Sequence, residues 1–168
     1  MIAARLQEPD APAAPDAITL APDAPQLYFI YPQQDAAVVT PWADLLFRQC
    51  EIIQPVFDGD EAELREYHEE NLRSCDGALI FYGAGDEAWL RRKLRELQKA
   101  AGYGRTKADP IVGICLMAPK TPEKERFRTH DAIVVPQWDG VSADLLEPFV
   151  SCLEKQARAR QGDGPTPV

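Results

Sequence analysis

Five short apolar runs alternate with amphipathic stretches along this chain, and that alternation limits the fold more than any other feature. Leu27-Tyr28-Phe29-Ile30-Tyr31, Glu51 to Phe57, Asp76 to Tyr82, Pro110 to Met117 and Ala132 to Val135 are rich in β-formers and bounded by turn or breaker residues. Each reads as a strand. Between them lie helical patterns. Thr40-Pro41 reads as an N-cap followed by Pro at the first helical position, ahead of Trp42, Leu45 and Leu46. Leu64, Tyr67, His68, Leu72 and Cys75 share one face of a helix from Glu61 to Cys75, and Leu90, Leu94, Leu97 and Ala101 share one face of the next. Thr121-Pro122 opens a short polar helix, and Ser142 caps a final one through Leu145, Leu146, Phe149, Val150 and Leu153. Continuous apolar strands alternating with helices imply a parallel sheet covered on both faces. Five of them predict an α/β, flavodoxin-like three-layer sandwich of strand order 2-1-3-4-5.

The ends read differently. Residues 1–26 hold eight Ala and five Pro, and residues 161–168 are similarly polar and Pro/Gly-rich. Such stretches bury too little apolar surface to offset their ordering entropy. The expected organisation is therefore a disordered linker over 1–26, one folded domain over 27–160 and a flexible tail over 161–168. No run approaches the ~18 apolar residues of a membrane span, and no basic segment leads into an apolar one at the start, so no membrane association is expected. The formal net charge of −9 makes nucleic acid an unlikely partner. Cys50, Cys75, Cys115 and Cys152 are widely spaced, without a CxxC, and read as buried, reduced thiols of a cytoplasmic protein.

Missing residues exclude several chemistries of this architecture. There is no GxxxxGK[ST], no GxGxxG after the first strand and no GxSxG. The third strand ends in Tyr82 and not in the Asp of a phospho-acceptor domain. The loop Pro32-Gln33-Gln34-Asp35 lacks the small and hydroxyl residues that cradle a flavin phosphate. With only His68 and His130, a His-based metal site is poorly supported, and neither metal nor cofactor is expected. Ligands in such sheets bind beyond the carboxyl ends of the strands, at the switch point. The expected crevice is lined by Tyr31, Asp35, Tyr82, Gly83, Trp89 and Lys93. Each residue has a simpler reading too: Asp35 as a turn residue, Trp89 as core, His68 as a hydrogen-bonded core histidine, Tyr31 and Tyr82 as packing.

The opening YFIYPQQD, the strand EIIQPVF, a helix ending in Cys75-Asp76, the strand GALIFYG and Trp89 near the start of a helix occur in that order. The segment DGALIFYGAGDEAWLRRKLRELQKA carries the pattern most clearly. Over about residues 27–155 the chain resembles Toll/interleukin-1 receptor homology (TIR) domains, and more closely the bacterial TIR-like modules of multidomain conflict and signalling proteins. The resemblance implies a protein-interaction module in bacterial defence or signal transduction, whose partners are other TIR-like domains or a second copy. It also implies an alternative, cleavage of the N-glycosidic bond of NAD⁺ by a Glu one helical turn after the Trp. Here that position is Lys93, which cannot supply a carboxylate to an oxocarbenium-like centre. No catalytic residue is therefore expected. Glu96, seven residues after Trp89, is the weak candidate, and its plain reading is a solvated helix residue. Nucleoside deoxyribosyltransferases share the broad architecture, and their carboxylate could be sought only in Asp86 or Glu87. A third class is nucleotide sensing in the crevice without turnover.

Charge is segregated along the chain. From Asp58 to Asp76 eight acids face two bases, and from Arg91 to Lys107 seven bases face one acid. Glu63, Glu66 and Glu70 on one helix and Arg91, Arg92, Arg95 and Lys99 on the next form the expected interaction faces. Each also reads as a plain solvated face; the functional reading is two charged poles that pair between copies or with a partner, and head-to-tail contacts of this kind build open filaments if the rotation does not close.

Overall fold

The computed structural model describes residues 24–99, 104–105 and 108–162. Most of the expected linker, the end of the tail (163–168), Ala101 and Lys107 lie outside the described residues. The elements are β1 (Gln26–Ile30), α1 (Thr40–Leu46), β2 (Glu51–Ile53), α2 (Glu61–Ser74), β3 (Gly77–Tyr82), α3 (Glu87–Gln98), β4 (Ile111–Met117), α4 (Pro122–Arg126), β5 (Ile133–Gln137) and α5 (Ala143–Gly162). The five strands form one parallel sheet in the order β2-β1-β3-β4-β5, the expected flavodoxin-like arrangement. Among the described residues no helix is long and apolar enough to cross a membrane.

Burial follows from the period-two alternation of strand side chains. Leu27, Phe29, Leu79 and Phe81 point to one side of the sheet, where Trp42 and Leu46 of α1 and Leu146, Phe149 and Leu153 of α5 cover them. Tyr28, Ile30, Ala78, Ile80 and Tyr82 point to the other side, beneath Leu72 of α2, Leu90, Leu94 and Leu97 of α3 and Phe127 beyond α4. Every residue of β3 is buried, as a central strand requires. Two glycines allow the layers to close. A Cβ on Gly77 would lie 2.8 Å from the Ile111 carbonyl oxygen, and one on Gly113 would lie 2.7 Å from the Phe149 ring.

The boundaries depart from expectation at a few points. β2 ends at Ile53 and does not reach Phe57, because Pro55 has no N–H to continue a ladder. The N-cap of α1 is Val39 and makes no side-chain cap, so Thr40 is already helical. Gln26, within the stretch expected to be disordered, begins β1: its backbone N–H donates to the buried Asp76 carboxylate at 2.8 Å. α5 runs through residues 161–162, into the expected tail. Cys50, Cys75 and Cys115 are buried, but Cys152 is exposed, since the inward positions of α5 beside it are Phe149, Val150 and Leu153.

Candidate functional site

The expected switch-point crevice between β1 and β3 is filled. Asp35 is buried, and one carboxylate oxygen accepts from the backbone N–H of Ala84 at 3.0 Å. A Cβ on Gly83 would touch that carboxylate at 3.0 Å, so the glycine admits it. Lys124 seals the same corner. Its side chain is buried, and its ammonium donates to the carbonyls of Gly83, Met117 and Pro119, each at 2.9 Å. Burial lowers the Lys124 pKa, and the nearby Asp35 charge opposes that shift. The ammonium also sits 5.4 Å from the Tyr82 ring, which packs edge-on against Phe127. Asp35, Gly83 and Tyr82 therefore meet at this corner through Lys124 and the Ala84 N–H, and they do not border the open cleft.

The open cleft lies on the other flank of β1, at the carboxyl end of the sheet. It has a volume of about 370 Å³ and is bounded by the end of β1, the loop after β2, α2 and α3. Tyr31, Trp89, Lys93 and Glu96 line it, as do His68, Arg65, Tyr67, Glu61 and Phe57. Tyr31 is fixed by a hydrogen bond from its hydroxyl to Gln54 Oε1 at 2.7 Å, and burial raises its pKa. Trp89 packs against the α2/α3 core, its indole 2.8 Å from where a Gly85 Cβ would stand. The Tyr67 hydroxyl donates to the Gln54 carbonyl at 2.7 Å, which ties α2 to the β2 loop.

A polar relay runs across the cleft floor. Glu96 Oε1 accepts from His68 Nε2 at 2.8 Å, and the Tyr28 hydroxyl meets His68 Nδ1 at 2.8 Å. A carboxylate can only accept, so Nε2 carries a proton, and in the neutral ring Nδ1 is then free to accept from Tyr28. Lys93 Nζ reaches the same Glu96 oxygen at 3.4 Å. Burial pushes the Glu96 pKa up, but the His68 hydrogen bond and the Lys93 charge outweigh it, and the net shift is downward. The Tyr28 pKa rises, first through burial and then through Tyr67, Cys75 and Glu96. Glu96 is thus an anchored, ionised carboxylate at the cleft wall, not the solvated residue its sequence context suggests. His68 is hydrogen-bonded, as expected, but also borders an opening.

Sequence reasoning missed Arg65 and Tyr67 as cleft residues, Gln54 as the anchor of Tyr31 and Tyr67, and Lys124 as the seal. Tyr67 and His68 lie on the inner face of α2, so the spacing held part of the signal. Lys124 depends on the distant Gly83 carbonyl as well as on the Met117 and Pro119 carbonyls just before it, and no periodicity announces that convergence.

The charged helices also differ from expectation. Arg105 turns inward, its guanidinium donating to the Leu72 and Cys75 carbonyls at 2.9 and 2.8 Å. Arg91 pairs with Glu87 at 2.9 Å and lies 4.9 Å over the Phe127 ring. Glu63 forms a capping box with Asp60 at the start of α2. Glu66 and Glu70 on α2, and Arg92, Arg95 and Lys99 at α3, are exposed. Both helices cover the same side of the sheet, bridged by His68 and Glu96, so the two charged stripes are neighbours and not opposed poles.

Among the described residues no group of three or more His, Cys, Asp or Glu side chains is placed to hold a metal ion. No protein-family model matches the chain, and no curated protein matches it.

Proposed function

We propose that this chain is a TIR-like protein-interaction and signalling module, of the kind that serves bacterial defence or signal transduction in the cytoplasm, and that it works by association with a second copy or a related domain. The observation that carries the reading is the pair of exposed stripes of opposite charge, Glu66 and Glu70 on α2 beside Arg92, Arg95 and Lys99 at α3. The flavodoxin-like strand order and the TIR-like segments support it. Complementary surface charge steers encounter and fixes register, and it weakens as salt rises. Light scattering across protein and salt concentrations tests the idea. Self-association that declines with salt is the expected result; a monomer under every condition counts against it.

A second reading is favoured by Glu96. An ionised carboxylate beside Trp89 in an open cleft could stabilise the oxocarbenium-like centre of NAD⁺ or nucleoside N-glycoside cleavage. Lys93, where the family pattern has its Glu, neutralises part of that charge. Nicotinamide release from NAD⁺ by the wild type, abolished in Glu96→Gln, would establish this reading. A thermal shift with nucleotides but no turnover would mark the cleft as a sensor.

A further inference from the structure

We propose that two copies of this chain associate face to face through a closed two-fold contact, with α2 of each copy lying along α3 of the other. The inference rests on the association reading above and specifies its partner and geometry. After the charges committed within the fold are set aside, Glu61, Arg65, Glu66, Glu69, Glu70 and Arg73 remain outward or half-outward on α2, acidic in balance, and Arg92, Arg95 and Lys99 at α3.

The positions along each helix make these stripes and not scatter. Arg92, Arg95 and Lys99 recur at intervals of three and four, opposite the buried Leu90, Leu94 and Leu97. Glu66 and Glu70 stand four apart, with Leu72 buried on the inner side of the same helix. α2 and α3 each follow a strand of one parallel sheet and cover the same side of it, so they run side by side in the same direction, about 10 Å apart.

That arrangement selects one symmetry. A two-fold axis parallel to the helices and between them lays acidic α2 over basic α3 and basic α3 over acidic α2. An axis across the helices would lay each stripe on its own like, where like charges repel. Each copy spends both stripes in the favoured contact, so the pairing is isologous and closes at two copies. Poles on opposite ends of the molecule would have built an open filament instead.

Sedimentation of the full chain, with two charge-reversal variants, tests the geometry. One variant is Arg92→Glu with Arg95→Glu; the other is Glu66→Lys with Glu70→Lys. All four sites are exposed helix positions, so circular dichroism should match the wild type. The wild type is expected to dimerise at low salt. Each variant alone should dimerise roughly tenfold to a hundredfold more weakly, since both of its stripes then carry one sign. An equimolar mixture of the two should recover the dimer, because each acidic stripe again meets a basic one. Recovery on mixing is a result that mere surface damage cannot give. Variants that dimerise like the wild type, no recovery on mixing, or wild-type assemblies larger than two would overturn the two-fold contact and leave the association reading standing. A wild-type protein that stays monomeric would sink both.

Discussion

Lys124 and Glu96 show how the chain uses buried charge. Lys124 has three carbonyl acceptors from two loops and almost no contact with water. Lys124→Met keeps the bulk of the stem and removes every donor, leaving three carbonyls without their partner. The expected loss is about 2–4 kcal/mol, read as a lower urea midpoint at unchanged slope. Glu96 predicts a pH effect. Its folded pKa lies below its unfolded one, so its stabilisation is complete above about pH 4.3 and is lost as pH falls through the lowered folded value. The stability gap between wild type and Glu96→Gln should therefore be level near neutrality and shrink on acidification below that point. A gap that stays constant down to strongly acid pH would refute the anchored carboxylate. The thiols give a third check. Burial raises Cys50 to about 12 and pushes Cys115 higher still. In the native protein a thiol reagent should modify Cys152 alone, and all four cysteines after denaturation. Burial of Cys50, Cys75 and Cys115 was readable from their apolar neighbours, but the partners of Lys124 and Glu96 were not. Lys124 needs the Gly83 carbonyl 41 positions away and Glu96 needs His68 28 positions away, whereas periodicity reports only which side of an element a residue takes.

Helix ends and strand contacts were easier to read, because their causes are local. The turn Asp58-Gly59-Asp60 before a run of acids marks the start of α2, and the structure supplies the mechanism: Asp60 Oδ1 accepts from the Glu63 N–H at 2.8 Å while the Glu63 side chain reaches back to the Asp60 N–H. Asp60→Ala should cost about 1 kcal/mol, measured by thermal or urea unfolding, and Asp60→Asn much less. Thr121 caps α4 more simply, its hydroxyl accepting from the Lys124 N–H without a reciprocal bond. The failures at this level have one local cause and one distant one. β2 holds three residues because Pro55 withholds a donor, and apolar content alone made it look longer. β5 starts one residue late and extends to Gln137, whose side chain is buried because Oε1 accepts from Trp42 Nε1 at 2.8 Å. A polar residue at the end of an apolar run looks like a boundary until that distant partner is known.

The whole molecule is one sheet with a core on each side, and the sheet's strands belong to both. Successive residues of β3 alternate between the layers: Leu79 and Phe81 beneath α1 and α5, Ile80 and Tyr82 beneath α2 and α3. That two-sided burial is what the uninterrupted apolar runs encode, and it is why strand order and layering could be anticipated, whereas of the expected crevice residues only Tyr31, Trp89 and Lys93 line the open cleft. The order of elements fixes where loops gather; which gap stays open depends on whether a side chain such as Asp35 fills it. Shared strands also mean that neither layer can lose its packing while the other keeps its own, so the described domain should unfold as one cooperative unit. Tryptophan placement allows a direct test. Trp42 reports on the α1/α5 layer, and Trp89 and Trp138 pack against the α2/α3 layer. A Trp42-only variant (Trp89→Phe, Trp138→Phe) and a Trp42→Phe variant, each followed by fluorescence and circular dichroism in urea, should show coincident transitions within each protein. A fluorescence transition in the Trp42→Phe protein that precedes its circular dichroism transition would mean that the α2/α3 layer, with the cleft and both charged stripes, opens on its own. The sheet would then be divided between two units, and the contact proposed for α2 and α3 would stabilise one layer and not the whole domain.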